Sequence, residues 1–306
     1  MRDDVRDSSL RPHPSSLLVI RLSAFGDVIH TIPAVVALRD TWDIDWAVES
    51  AYREMVETVA RVKAIPLSLK KWSLANVEKL RGHDVVIDFQ GLVKSALLAR
   101  VSGAKTRYGF ATEFIREKPA AWLMNRRVRI DPSTHVVDWN LQLASAVEPG
   151  VRAPQVDFTP YAADQPRGFE GRIVLIPAAG RREKEWPVEA FRRLAERIGS
   201  RALVVWGPGE RDKAEAIGAE VAPPTTLREL ARVLREASLV IGADTGPLHL
   251  AAALGTRVIG LYGPTSPARN GPYGQIDNCV QTFTTTKSMQ DITVDSVARK
   301  VEEVVG

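Results

Sequence analysis

Short runs of Val, Leu and Ile alternate along the chain with longer stretches in which apolar residues recur every three or four positions. Leu17–Arg21 (LLVIR), Ile44–Glu49 (IDWAVE) and Asp84–Phe89 (DVVIDF) have the length and β-branched content of buried strands. Between them, Val28–Arg39 and Arg53–Ala60 carry helical spacing, which Lys94–Val101 repeats before a short strand at Arg107–Phe110. Such alternation predicts a mostly parallel sheet with helices on both faces.

The rhythm weakens over 131–171, where Pro132, Pro149, Pro154, Pro160 and Pro166 stand with Gly150, Gly168 and Gly171. That punctuation predicts a linker between domains. The alternation then restarts with strands at Ile173–Pro177, Ala202–Trp206, Ser238–Gly242 and Arg257–Tyr262. Helices fit at Val188–Ile198, Glu210–Ile217, Leu227–Glu236, Pro247–Leu254 and Val294–Val305, and Thr226 with Glu229 has the spacing of a capping box. The expected organisation is a disordered leader over 1–16, one α/β domain over 17–165 and a second over 166–306. The last helix is allowed for as an element that packs back on the N-terminal domain.

Composition narrows the class. At roughly 150 residues per domain, 306 residues accommodate two domains. The balance of 45% hydrophobic and 25% charged residues excludes a disordered, collagenous or disulfide-scaffold chain. A single cysteine, Cys279, rules out an internal disulfide and fits a reducing compartment. The N-terminal MRDDVRDSSLRPHPSS is polar and has no apolar core, so it does not read as a signal peptide. No apolar run approaches the ~18 residues that span a bilayer. The expected location is cytoplasmic.

Net charge is only +4, a weak field for a nucleic-acid binder. Its distribution is uneven. Between Arg53 and Arg129 sixteen Lys or Arg face seven Asp or Glu, a local +9 that leaves −5 elsewhere. This excess is either a solvated basic face or a site for an anionic partner. No basic–aromatic motif accompanies it, so nucleic acid is not an expected partner.

Four segments carry candidate chemistry. In Gly242-Ala-Asp-Thr-Gly-Pro-Leu-His249 a strand ends, a tight turn follows and a helix opens near Pro247, the geometry that presents backbone N–H groups to phosphate. Asp244 and Thr245 read either as ligand-binding residues or as simple N-caps, and His249 as a site or a packing residue. Asp27, in Arg21-Leu-Ser-Ala-Phe-Gly-Asp-Val-Ile-His-Thr-Ile-Pro33, suits a general base at a strand end, or again an N-cap. The loop Ala178–Pro187 offers Arg181, Arg182 and Lys184 to a diphosphate, or to solvent. Glu210, after Gly207-Pro-Gly209, can hold ribose hydroxyls. The chain lacks G-x-G-x-x-G, a P-loop, the G-x-S-x-G elbow and any metal-ligand spacing among its five histidines. Nothing in it calls for a cofactor.

Together these residues resemble the bacterial heptosyltransferases of lipopolysaccharide synthesis, glycosyltransferase family nine. The likeness runs from Val19 to Gly274 through IRLSAFGDVIHTIPA, IDWAVE, Lys70-Lys71-Trp72, DFQGLVKSALLAR, Ile115-Arg-Glu-Lys118, KEWP, ADTGPLHLAAALG and LYGPTSPARNGPYG. It implies a GT-B fold, two Rossmann-like doubly wound domains facing a central cleft. The implied reaction is inverting transfer of L-glycero-D-manno-heptose from ADP-heptose to the Kdo of Kdo–lipid A; the alternative is a family member with another donor or acceptor. By position Asp27 matches the proposed catalytic base. Lys184, Glu210, Asp244, Thr245, Gly246 and His249 match donor-binding residues, while Lys70, Lys71, Arg107 and Arg116 fall where the anionic acceptor is received. Such an enzyme is implied to sit peripherally on the anionic cytoplasmic face of the inner membrane. Ala178-Ala179-Gly180 departs from the family, which typically offers hydroxyl groups there; either amides freed by Gly180 substitute or the donor differs.

Overall fold

The structure, a computed structural model, describes residues 15–67, 77–162 and 168–306. The chain divides into two compact units. The first comprises the chain up to Leu22 with Ala34–Ile130 and Leu143–Ala153; the second comprises Ser23–Pro33, Asp131–Gln142 and Pro154–Gly306.

The first sheet contains β1 (Ser16–Ile20), β2 (Asp43–Glu49), β3 (Lys63–Leu67), β4 (Val85–Asp88), β5 (Thr106–Phe110) and β6 (Arg126–Val128) in the order β3-β2-β1-β4-β5-β6. Every pairing is parallel, with Leu17 opposite Ile44 on one side and Val85 on the other. The second contains β7 (Ile173–Ile176), β8 (Ala202–Val204), β9 (Glu220–Val221), β10 (Leu239–Ala243), β11 (Val258–Tyr262) and β12 (Val280–Gln281), ordered β12-β11-β10-β7-β8-β9 and parallel throughout. Each sheet is therefore doubly wound, and its strand order reverses beside its first strand. That reversal opens a crevice at the carboxyl ends of β1 and β4, and of β7 and β10. These two Rossmann-like sheets are the content of a GT-B fold.

The principal helices are α1 (Phe25–Leu38), α2 (Val93–Val101), α3 (Val136–Val147), α4 (Val188–Ile198), α5 (Arg211–Glu215), α6 (Leu227–Glu236), α7 (Gly246–Ala253) and α8 (Val294–Val305). Central strands are apolar on both faces, as covered parallel sheets require: Leu17–Ile20 and Ile173–Leu175 are fully buried. α4 turns Phe191, Leu194 and Ala195 inward, and α8 packs on α4, adding Val294 and Val297 to the same core. The final helix thus completes the second unit. α6 starts with the expected capping box: Thr226 Oγ1 accepts from Glu229 N at 3.2 Å, and Glu229 Oε2 from Thr226 N at 2.7 Å.

Candidate active site

At the β7/β10 crevice, the loop after β7 ends in a 3-10 turn, Arg182–Lys184, and Asp244 follows β10. Trp186 anchors the first loop: it is buried, donates its indole N–H to Ile292 O at 2.9 Å and meets Phe191 edge-on at 4.9 Å. Lys184 Nζ then reaches Asp244 Oδ2 at 2.6 Å, while His249 Nε2 lies 3.1 Å from Asp244 Oδ1. Burial alone would push the Asp244 carboxyl up. The His249 hydrogen bond and the Lys184 charge outweigh it and hold the group at about 2. Asp244 is therefore ionised near neutrality and fixes both partners.

Thr245 stands at the N-cap of α7 without capping it: its Oγ1 is buried and takes part in no hydrogen bond, as is Nδ1 of His249. A helix N-terminus, an adjacent ammonium and an unengaged hydroxyl make up the donor set of an oxyanion site. Lys184 and the Thr245–Gly246 turn converge there from two strand ends.

Ser23–Pro33 belongs to the same unit. A Cβ on Gly26 would lie 2.8 Å from His249 Cδ2, and one on Gly246 would lie 2.3 Å from Phe25 Cδ1. The first turns of α1 and α7 consequently touch through their glycines. Asp27 follows immediately, half-buried, with Oδ2 accepting from Ala24 N at 3.1 Å. Asp27 is thus the third residue of α1 and not its N-cap; the bond reaches back to the residue before the helix and pins the carboxylate beside the Gly26–Gly246 contact.

Glu210 closes a turn after β8, where its Oε2 accepts from Gly207 N at 2.9 Å. Lys213, on α5, ties this loop to the one after β7 by reaching Glu185 Oε1 at 2.6 Å. Asp27, Lys184, Glu210, Asp244, Thr245, Gly246 and His249 thus belong to one compact unit despite their separation in sequence.

Two further histidines, His30 and His135, stand beside His249 at the candidate site. The rings of His30 and His249 lie 4.3 Å apart, and those of His30 and His135 5.4 Å, both edge-on. His135 Nδ1 accepts from Val137 N at 3.1 Å and its Nε2 faces Gly271 O at 2.9 Å, which assigns the proton to Nε2. Burial pushes its pKa down, in agreement with a neutral ring. Tyr273 packs on His135 and donates to Asp138 Oδ1 at 3.0 Å; partial burial and that bond push the phenol up to about 12. His30 stands within the GDVIHT stretch and His135 in no motif; only the fold brings the two rings together.

The candidate acceptor residues fare differently. Lys70 and Lys71 lie outside the described residues. Arg107 spends Nε on Leu123 O and Nη1 on Ala104 O, both at 2.9 Å, and so braces the connection from β5 to β6. Arg116 is exposed. In the same unit the β1/β4 crevice holds Asp88, a buried carboxylate accepting from Gln90 N at 2.9 Å, Gly91 N at 3.3 Å and Ser95 Oγ at 2.9 Å; burial lifts it to about 6 despite those bonds. Arg21 Nη1 donates to Phe89 O and Leu22 N to Gln90 Oε1, so D-F-Q-G is a locked loop rather than an open one.

Two doubly wound parallel sheets, each with its strand order reversing beside its first strand, are the GT-B arrangement. The family model for glycosyltransferase family 9 (heptosyltransferase) matches residues 73–299, and the chain belongs to that family. It is 32% identical over 292 residues to lipopolysaccharide heptosyltransferase 1 of Escherichia coli K12, covering 85% of this chain and 91% of that protein. The structure superposes on E. coli heptosyltransferase WaaC with ADP at a TM-score of 0.81 and 30% identity, covering 94% of this chain and 99% of that one. Against WaaC with ADP-2-deoxy-2-fluoro heptose, over the same coverage and identity, the TM-score is 0.78.

Proposed function

We propose that this glycosyltransferase moves L-glycero-D-manno-heptose from ADP-heptose to the Kdo of Kdo–lipid A, with inversion at the anomeric carbon. The observation that carries the reading is the Lys184–Asp244–His249 array at the N-terminus of α7, beside Asp27. The names of the similar proteins, a lipopolysaccharide heptosyltransferase and WaaC bound to ADP and to an ADP-heptose analogue, support the donor and the pathway.

In this scheme Asp27 accepts the proton of the acceptor hydroxyl as its oxygen forms a bond to the anomeric carbon. The bond from that carbon to the diphosphate oxygen breaks, its electron pair leaving with ADP. Lys184, Thr245 and the amides at Gly246 stabilise the charge that develops on the diphosphate. Glu210 receives the ribose hydroxyls. Arg116, with Lys70 and Lys71, receives the anionic acceptor, and the enzyme works peripherally at the cytoplasmic face of the inner membrane.

The test is ADP release from ADP-heptose in the presence of Kdo–lipid A. Asp27→Asn is expected to lower kcat by at least ~10²-fold, with donor binding, read as thermal stabilisation by ADP-heptose, retained. Near-normal turnover in that variant removes Asp27 from the reaction.

A further inference from the structure

Three of the large apolar side chains that stand exposed belong to the first unit: Leu97 (43%), Val101 (40%) and Trp122 (70%). They lie on two neighbouring segments. Ala96 and Ala99 on the inner side of α2 share one core cluster with Ala120 and Met124, which seats α2 beside the 3-10 turn Lys118–Leu123. The outer stripe of α2 then reads Lys94, Leu97, Arg100, Val101, every one exposed, and in the neighbouring turn Lys118, Pro119 and Trp122 are exposed. Isolated surface leucines need no explanation, but an indole left mostly in water next to an apolar–cationic stripe does.

Charge identifies what covers them. From Val93 to Arg129 nine Lys or Arg stand against two acids. Of those two, Glu113 is paired with Arg129 at 3.2 Å and Glu117 accepts from Val93 N at 2.7 Å. A second copy of this face would oppose like charges, and cores of protein interfaces are depleted of Lys. An anionic bilayer suits the pattern: the indole and aliphatic groups enter the headgroup boundary, while Lys and Arg stems lie along apolar surface with their charges toward lipid phosphate. Among the described residues no helix is long and apolar enough to cross a membrane, so this attachment is a surface one.

We infer that α2 and Lys118–Leu123 form a docking surface for an anionic phospholipid bilayer, with Trp122, Leu97 and Val101 as its apolar anchors and Lys94, Arg100 and Lys118 as its cationic ones. The inference takes its purpose from the proposed lipid-anchored acceptor, but its observations stand apart from the catalytic residues.

The experiment is cosedimentation of the full chain with phosphatidylcholine vesicles, with and without phosphatidylglycerol. Binding is expected only with the anionic lipid and is expected to weaken with salt. Trp122→Glu and Leu97→Glu should each weaken it by about ten-fold, and Lys94→Gln and Arg100→Gln by about five-fold each. All four variants should keep wild-type thermal stabilisation by ADP. Equal binding to neutral vesicles, no binding at all, or wild-type binding by the Trp122 and Leu97 variants would overturn the assignment. A wild-type chain that turns over ADP-heptose on a delipidated acceptor but binds no vesicle tells against the docking surface alone; a wild-type chain that binds anionic vesicles but shows no turnover tells against the proposed function alone.

Discussion

Asp244 divides its two carboxylate oxygens between a cation and an imidazole, Lys184 at 2.6 Å and His249 at 3.1 Å, within a turn that ends a central strand. Both donors are thereby fixed before any ligand arrives, which is how charge stabilisation avoids a reorganisation cost. Asp244→Asn keeps the shape but removes the charge holding Lys184. We expect kcat/KM for ADP-heptose to fall by roughly 10²-fold, and Lys184→Arg not to restore a Lys184→Ala loss, since a planar guanidinium cannot reproduce the ammonium's point contact. Steady-state kinetics on the three variants check this.

The same carboxyl sets an acid limb. Its folded pKa, about 2, lies below its ordinary value of 3.8, so it contributes stability above pH 4 that is lost as pH falls through about 2. The stake is about 2 kcal/mol at most. Denaturant melts at stepped pH are expected to show that wild type loses its stability advantage over Asp244→Asn between about pH 4 and 2, with a constant offset above. A difference that persists unchanged at pH 2 would refute the linkage.

Gly26 and Gly246 let the first turns of α1 and α7 touch. Gly246→Ala puts a methyl 2.3 Å from the Phe25 ring, and Gly26→Ala puts one 2.8 Å from His249. Each should cost about 1–3 kcal/mol through overpacking. The kinetic signature is what distinguishes them from ordinary core damage: in protein still folded at the assay temperature, kcat should drop because Asp27 shifts relative to α7. Tm and kcat measured together check the point.

Trp186 is the peg of the Lys184 loop. Trp186→Ala should destabilise by about 3–5 kcal/mol and raise the KM for donor. Trp186→Phe keeps most of the buried area but gives up the bond to Ile292 O, so a smaller loss of about 1–2 kcal/mol is expected. Chemical denaturation resolves the two.

Arg107 and Arg116 should separate by readout. Arg107→Met strips the carbonyls of Leu123 and Ala104 of their donor, and the expected result is a stability loss of about 1–3 kcal/mol with little change in acceptor KM. Arg116→Ala, on an exposed side chain, should raise acceptor KM while leaving Tm within about a degree, the usual outcome at a surface site. The opposite pattern would return Arg107 to acceptor binding.

How far the chain could be read in advance follows from burial. β1, β2, β4, β7, β8, β10 and β11 carry apolar runs that betray them, and β5, Thr-Arg-Tyr-Gly-Phe, shows only a short β-prone stretch. β6, β9 and β12 do not, because they are short edges of their sheets: β6 is Arg-Arg-Val, β9 Glu-Val and β12 Val-Gln, while the fourth edge, β3, is apolar but interrupted by Pro66, which an edge strand tolerates. Among the candidate site residues, Asp27, Lys184, Asp244, Thr245 and Gly246 stand out through turn chemistry at strand ends. His135 does not, for it stands in no motif, and its place beside His30, 105 positions away, is a product of topology. Arg107 was legible as a charge but not as a brace, for nothing local reveals which carbonyls a long side chain will find.

The allotment of Ser23–Pro33 and Asp131–Gln142 to the second unit bears on how this gene could be cut or recombined. A fragment beginning at Pro154 would inherit Lys184, Asp244 and His249 yet leave Asp27, His30 and His135 behind. Chimeras that trade sugar donors between relatives would need to carry three separate inserts rather than one. Coexpressed halves split near residue 165 would each be an incomplete building block, able to mature only by reassociation.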